Sequence, residues 1–546
     1  MAIFSTDKLG QILSNRKTSL VIIGIAIASR VIQLIYFYTT GFDLSYQVMA
    51  THNFVTGHGI SISIVSPADL SATIYEPLIR WPPGYTLLLA PLYVLFDHNY
   101  IAAGLSLDII AAVTLILVSR NLLKLLGASL PLINLFTLLT GFFIYHFYFI
   151  ASSDAIAITA FIVALYYALS LLKDGRQVMK KTILMIIFLF LCGFIKYLFI
   201  PVVLIIPAFL ILKSRTDHQK LLQRAGMLSF FVLVIALGGM LLYQKYMTGS
   251  ATYISQTERG FFPEHLLTAF PFIPGSFIKP ETISLAFHQD AGITGWIYHS
   301  LQCVHVLVFS FFMVFVLRKF FRQGFKNLSL QDHFFYLVFF ISLAIFVLLA
   351  FLSIRVEKEE VMPGVLWTYI QEPRYYGLVN VLLHFSVVII YVFYLRSAIK
   401  WLKYAFYILL LILLPEMFRG IIFTGNRLLK MGKESYSWQL DHRFQKQAAA
   451  VLQTARQEQP VDKVVVTGTS LYINHRIAVY SHVPILLEAY KLNDLTSLVT
   501  LEKVLVLFIV EEKALPYFQP AISARGMKMG GYSSGFFFYT FLLKPR

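Results

Sequence analysis

Two carboxylates and three cations stand at the ends of apolar runs in this chain: Asp43 and Asp154, then Arg80, Lys196 and Arg374, with Glu372 beside the last. Polar groups at membrane depth are costly and tend to be functional. A carboxylate at a membrane surface can take the proton of an acceptor hydroxyl as a general base. Cations nearby can hold a phosphate, both as it binds and as it leaves with added charge. Together these groups describe transfer from a lipid-linked phosphate to an acceptor outside the cytoplasm. ATP and nucleotide sugars are absent there, so a lipid-phosphate sugar is the natural activated donor. Singly, each group has a plainer reading: Asp43 as a solvated acid at a helix exit, Lys196 as a helix-end anchor.

The elements that must position them are membrane helices. Of 546 residues, 58% are hydrophobic and 13% charged, whereas water-soluble domains carry about a quarter charged. The pattern therefore predicts an α-helical polytopic membrane protein. Eleven spans are expected, near 20–38, 100–118, 130–150, 155–172, 182–196, 200–212, 226–246, 301–317, 335–353, 375–395 and 404–418. The first apolar run, Leu20 to Tyr38, matches the length of a bilayer-spanning helix. It is too long for the core of a cleaved leader and reads as a permanent helix.

The net charge of +17 follows topology rather than nucleic acid, and no nucleic-acid partner is expected. Alternate short segments hold the basic residues, among them Lys8, Arg16 and Lys17; Arg120 and Lys124; Lys180 and Lys181; Arg318, Lys319 and Arg322; and Arg396 and Lys400. Such segments face the cytoplasm. The N-terminus is then cytoplasmic, and an odd number of spans puts the C-terminus outside. The large outer loops are 39–99, 247–300 and 354–374, and the membrane domain is expected to cover 1–418. Within the first loop, WPPGYTLLLAPLYVLF (81–96) reads as a helix lying in the outer interface. Pro82 and Pro83 cannot sit inside a regular helix but can begin one.

The remainder, 419–546, is expected to be a small soluble α/β domain outside the membrane. RFQKQAAAVLQTARQ (443–457) reads as an amphipathic helix, and KVVVTG (463–468), RIAVY (476–480), KVLVLFIV (503–510) and FFFYTFLL (536–543) as strands. Cys192 and Cys303 both lie in apolar runs and provide no disulfide framework.

Five motifs carry a resemblance in order along the chain: Asp43 with YQVMATHNFVTGHG, RWPPGY, SSDAIAITAFIVALYYAL, FIKY and PRYYG. They resemble the multi-pass GT-C glycosyltransferases, in particular bacterial members allied to protein mannosyltransferases and the aminoarabinose transferase of lipid A. The resemblance covers roughly residues 20–400. It implies inverting transfer of a sugar from a polyprenyl-phosphate donor at the outer face of an inner or plasma membrane. By position, Asp43 matches the first-loop acid that activates the acceptor or orients the site, and Asp154 the second-loop acid. Arg80 stands where relatives carry a base before the proline motif, and Arg374 matches a late Arg-Tyr motif; both are assigned to the lipid phosphate, with Lys196 as a further phosphate cation. The usual proline after that late motif is absent, and Leu44 stands where many protein mannosyltransferases carry a second acid. A glycan, lipid or protein acceptor all remain open. No Asp-X-Asp occurs, so no cofactor is required by motif, though a divalent metal is not excluded.

His58, Tyr85 and Glu372 are carried as candidate substrate contacts. Their plainer readings are a turn residue for His58, like the helix residue His52, and an interface anchor for Tyr85, like Trp81. Gly57 and Gly59 suit a turn with unusual backbone angles. Asp108, inside a span, is a functional candidate or a partner of a neighbouring helix; Arg30, near the middle of the first span, has the same two readings, with a snorkelling cation as a third. The competing functions are a transporter or flippase of lipid-linked glycans, a ligase using a diphosphate-linked oligosaccharide, and a polymer-binding scaffold.

Overall fold

The computed structural model describes residues 13–37, 42–66, 68–142, 153–174, 176–252, 260–263, 313–325, 328–355, 359–362, 365–367, 373–396, 437–458, 460–469, 481–486, 498–533 and 535–545, with scattered positions within 404–429 and 474–479. In chain order these form α1 (Arg16–Phe37), α2 (Phe42–Val55), β1 (Ser61–Ser66), β2 (Asp69–Pro77), α3 (Gly84–Leu95), α4 (Tyr100–Leu125), α5 (Leu130–Phe142), α6 (Ser153–Lys173), α7 (Val178–Ile195), α8 (Phe199–Val203), α9 (Ile205–Asp217), α10 (Lys220–Thr248) and α11 (Leu330–Ser353). Then follow β3 (Glu359–Met362), β4 (Val365–Trp367), a 3-10 turn (Pro373–Tyr376), α12 (Gly377–Arg396), α13 (Ser437–Glu458), β5 (Lys463–Gly468), β6 (Ile485–Leu486), β7 (Val504–Glu511), α14 (Leu515–Ala524), β8 (Lys528–Ser533) and β9 (Phe536–Leu543).

Two compact units emerge: Met1–Leu34 with Asp108–Met431, and Ile35–Leu107 with Gly432–Arg546. The division differs from the one drawn on the sequence, which kept residues 39–99 with the membrane helices.

The first unit is helical. Among the described residues, seven helices are long and apolar enough to cross a membrane: α1, α4, α6, α7, the joined α8–α9 stretch Phe199–Thr216, α10 and α11. Helices α5 and α12 are apolar but shorter as described. The spans expected near 301–317 and 404–418 lie for the most part outside the described residues. Helix α6 is apolar all round, and Ile158, Phe161, Ile162, Ala164, Leu165 and Ala168 are all buried, which makes it the core helix of the bundle. A polar knot ties three helices: Arg120 donates to Ser19 Oγ and Thr137 Oγ1, both at 2.6 Å, and Ser19 donates to Asn134 Oδ1 at 2.9 Å. Between α1 and α5, Gly141 lets the backbones touch, since a Cβ there would lie 2.6 Å from Ala26 Cα. Helix α11 opens on a capping box of Ser329 and Asp332, and Lys319 Nζ reaches the same carboxylate at 2.5 Å.

The second unit is built on a seven-stranded sheet of order β2-β1-β6-β5-β7-β9-β8. Strands β1, β6, β5 and β7 run parallel, and β2, β9 and β8 antiparallel to their neighbours. The strand β7 is buried on both faces, as its unbroken apolar run requires. Val504, Val506, Phe508 and Val510 meet Phe518, Ala521 and Ile522 of α14. Leu505, Leu507 and Ile509 turn to the other side and meet Ala448, Val451 and Leu452 of α13.

The first loop joins this sheet. Residues Ile64 and Val65 of β1 pair with Ile485 and Leu486 of β6, Leu70 donates its N–H to Val499 O at 3.0 Å, and Lys463 Nζ donates to Ser71 O at 2.8 Å. The strands read at 463–468, 503–510 and 536–543 all form, the middle one displaced by one residue. RIAVY does not: residues 477–479 make a helical turn, and the sheet instead takes in β1 from the first loop beside β6.

Candidate functional site

Asp43 lies in the first turn of α2, half-buried, where the N-terminal end of the helix favours negative charge. One turn on, Tyr46 is buried on the same side of the helix. Its ring packs on Trp81 at 5.3 Å and lies under the Arg80 guanidinium, whose Cζ is 5.4 Å from the ring centre. The β2–α3 connection that carries Arg80 and Trp81 is thereby fixed to the start of α2, and α3 begins directly after Pro83, as the proline pair predicts. Further down α2, Gln47 Nε2 donates to Asp43 O at 3.2 Å and Thr51 Oγ1 to Gln47 O at 2.7 Å, so the polar face of the helix is internally bonded.

Tyr85 sits in the first turn of α3, fully buried, and so is not a headgroup-level anchor in this fold. The burial follows from its place in α3: the face carrying Tyr85, Leu89 and Tyr93 is inward, while Val94 and Leu95 beyond it are exposed. His58 is exposed between Gly57 and Gly59, whose φ values of 90° and 71° need glycine. Its ring stacks flat on Tyr75 of β2, with centroids 4.0 Å apart and planes 5° from parallel.

The other half of the predicted constellation assembles in the helical unit. Asp154 opens α6, and Lys196 caps α7 in an extended conformation that ends that helix. Lys196 Nζ lies 2.7 Å from Asp154 Oδ1, with side-chain exposures of 9% and 1%. The same ammonium is 5.2 Å from the ring centre of Tyr375, in the 3-10 turn that also carries Arg374. A phosphate cation and a second acid, read separately from the sequence, are thus a buried ion pair. Glu372 lies outside the described residues.

Arg30 and Asp108 are both buried, at 6% and 2% exposure, and line one cavity of about 50 Å³ with Thr140 and Thr159. Arg30 donates to the backbone oxygen of Thr140, so it faces the bundle and does not snorkel. Cations at membrane depth commonly face the bundle interior and pair with backbone carbonyls in this way. Among the described residues, no group of three His, Cys, Asp or Glu side chains could hold a metal ion.

Two residues near the expected groups were not singled out. Tyr46 is one of many tyrosines, and its only signal is its spacing of three from Asp43. Tyr375 follows Arg374 in a motif that was read for its arginine alone.

No family model and no curated protein sequence matches the chain. By structure it is similar to the oligosaccharyltransferase of Archaeoglobus fulgidus in its apo form, at 11% identity and a TM-score of 0.50, over 96% of this chain and 72% of that one. It also aligns with ArnT from Cupriavidus metallidurans bound to undecaprenyl phosphate, at 12% identity and a TM-score of 0.45, over 95% and 97% of the two chains. A further match is AglB from Archaeoglobus fulgidus in complex with an inhibitory peptide and a dolichol-phosphate, at 12% identity, a TM-score of 0.44, and 95% and 74% coverage. The first likeness shows a shared fold. These neighbours are GT-C glycosyltransferases, the superfamily that the ordered motifs of the sequence resemble.

Proposed function

We propose that this chain is an integral-membrane inverting glycosyltransferase that moves a sugar from a polyprenyl-phosphate donor to a hydroxyl of a glycan, lipid or protein acceptor. The transfer takes place on the outer face of the membrane, where the C-terminal segment also lies. The observation that carries this reading is that Asp43 lies one helical turn before Tyr46, the residue whose ring packs under the Arg80 guanidinium.

In this mechanism the acceptor oxygen attacks the anomeric carbon of the donor as the bond from that carbon to the phosphate oxygen breaks. Asp43 takes the hydroxyl proton, and Arg80 and Arg374 receive the phosphate as it gains charge. The Asp154–Lys196 pair supports the reading in a revised form. A lysine already paired at 2.7 Å is a held cation, with Asp154 as its counter-ion and Lys196 presented beside the turn of Arg374. Fold likeness alone does not select the reaction, so the donor's product is the test.

Purified protein is incubated with a panel of polyprenyl-phosphate sugars and host membranes as acceptor, wild type beside Asp43→Asn. Release of free polyprenyl phosphate by wild type alone supports the assignment. Release of polyprenyl diphosphate from an added polyprenyl-diphosphate oligosaccharide, with none of the monophosphate donors consumed, points to an oligosaccharide ligase instead. No release from any donor by folded protein overturns the transferase reading.

A further inference from the structure

The helix with Asp43 in its first turn ends in a cluster of histidines drawn from three parts of the second unit. His52 of α2 stacks on His482 from the segment before β6, with ring centres 4.2 Å apart and planes 18° from parallel. His98, just beyond α3, stands edge-on to His52 at 6.4 Å. Tyr93 of α3, itself fully buried, completes the cluster with its hydroxyl 3.1 Å from His52 Nδ1. Two of the three histidines hold left-handed backbone, His98 at φ 62° and His482 at φ 51°. Such angles are uncommon outside glycine, though histidine is among the residues that tolerate them, and here both place an imidazole against the same partner.

The arrangement is suited to neutral rings. A flat stack of two imidazoles tolerates one proton poorly and two worse, because among the described residues no carboxylate is among the groups that act on His52. Those groups are His482, His98 and His58, all of them potential cations, with the Tyr93 hydroxyl beside the ring. We propose that His52, His98 and His482 form a pH-sensitive latch that docks the C-terminal segment onto the helix carrying Asp43, closed at neutral pH and released in acid. The latch exists independently of the reaction; that it regulates sugar transfer rests on the function proposed above.

Burial, and then the charges of His482, His98 and His58, push the His52 pKa down to about 4 from an ordinary 6.5. A histidine lowered in this way stabilises the docked state fully above 6.5. That contribution is lost progressively as pH falls from 6.5 through 4. Unscreened, the open-to-closed ratio would rise about 20-fold between neutral pH and pH 5; with His98 and His482 reaching solvent, roughly tenfold or less is expected.

The test is hydrogen–deuterium exchange on the full chain in lipid nanodiscs, corrected for the intrinsic pH dependence of exchange. Wild type should lose protection, by up to about tenfold between pH 7 and 5, in residues 42–55 and 481–486 together. His52→Phe keeps a flat ring that cannot be protonated, and should hold its protection across that range. His482→Asn tolerates the left-handed backbone but removes the stack, and should be less protected at pH 7 and less dependent on pH. Constant protection in wild type, or an equal acid loss in His52→Phe, overturns the proposal. Because exchange needs no substrate, a failed latch and a failed transferase reading are told apart.

Discussion

Breaking the Asp154–Lys196 pair one partner at a time, and then both together, probes the most tightly specified contact among the expected site residues. The separation of 2.7 Å corresponds to a Coulomb attraction of about 6 kcal/mol at an effective dielectric constant of about 20. Desolvating two groups left only 9% and 1% exposed offsets much of that. What remains asymmetric is the single deletion, which strands one buried charge and costs about 3–5 kcal/mol. Asp154→Asn and Lys196→Met should each lower stability by about 3 kcal/mol, while the double variant should fall well short of their sum, with a coupling of about 2–3 kcal/mol. Thermal unfolding of the four proteins in one detergent measures the cycle. Additive singles, or a Lys196→Met protein as stable as wild type, would refute the argument that the pair is closed and desolvated. If Lys196 presents charge to the donor, the double variant regains stability but not donor affinity, and a double variant with wild-type affinity would remove Lys196 from the site.

Two further outcomes are expected. Tyr46→Phe should bind donor as wild type does, because the ring face that holds Arg80 is kept, whereas Tyr46→Leu and Arg80→Ala should weaken donor binding by about 1 kcal/mol or more, a several-fold rise in KM with a smaller change in kcat; equal affinity in all four proteins would sink the assignment of Arg80. A cysteine engineered at the exposed Lys513 should react with an impermeant thiol reagent on intact cells, and protection until lysis would reverse the orientation of the C-terminal segment.

Much of this was legible in the residues themselves. Hydropathy locates the long helices because an apolar run of bilayer length has few other stable fates. The break between α7 and α8 at Lys196, the helix start after Pro83 and the strand at 536–543 are local consequences of charge, proline chemistry and a run of aromatic residues. The short motifs, taken in order, resemble one superfamily, and the fold is shared with a solved oligosaccharyltransferase.

Other features depend on partners far apart in the chain. The pairing of Ile64 with Ile485 joins the first loop to the C-terminal sheet across a separation that no periodicity encodes, and it moves a domain boundary. The same holds for Lys196 and Asp154: each residue type was visible as a site candidate, but only packing of α6 against α7 turns a free cation and a free acid into a neutral pair. Tyr46 and His52 were ordinary helix residues until the fold placed Arg80 over one and His482 on the other. Local sequence dictates which elements form because their hydrogen bonds and apolar faces are local. Which charges are buried, paired or left for chemistry is settled by what tertiary packing brings within a few ångströms, where burial makes a charge felt.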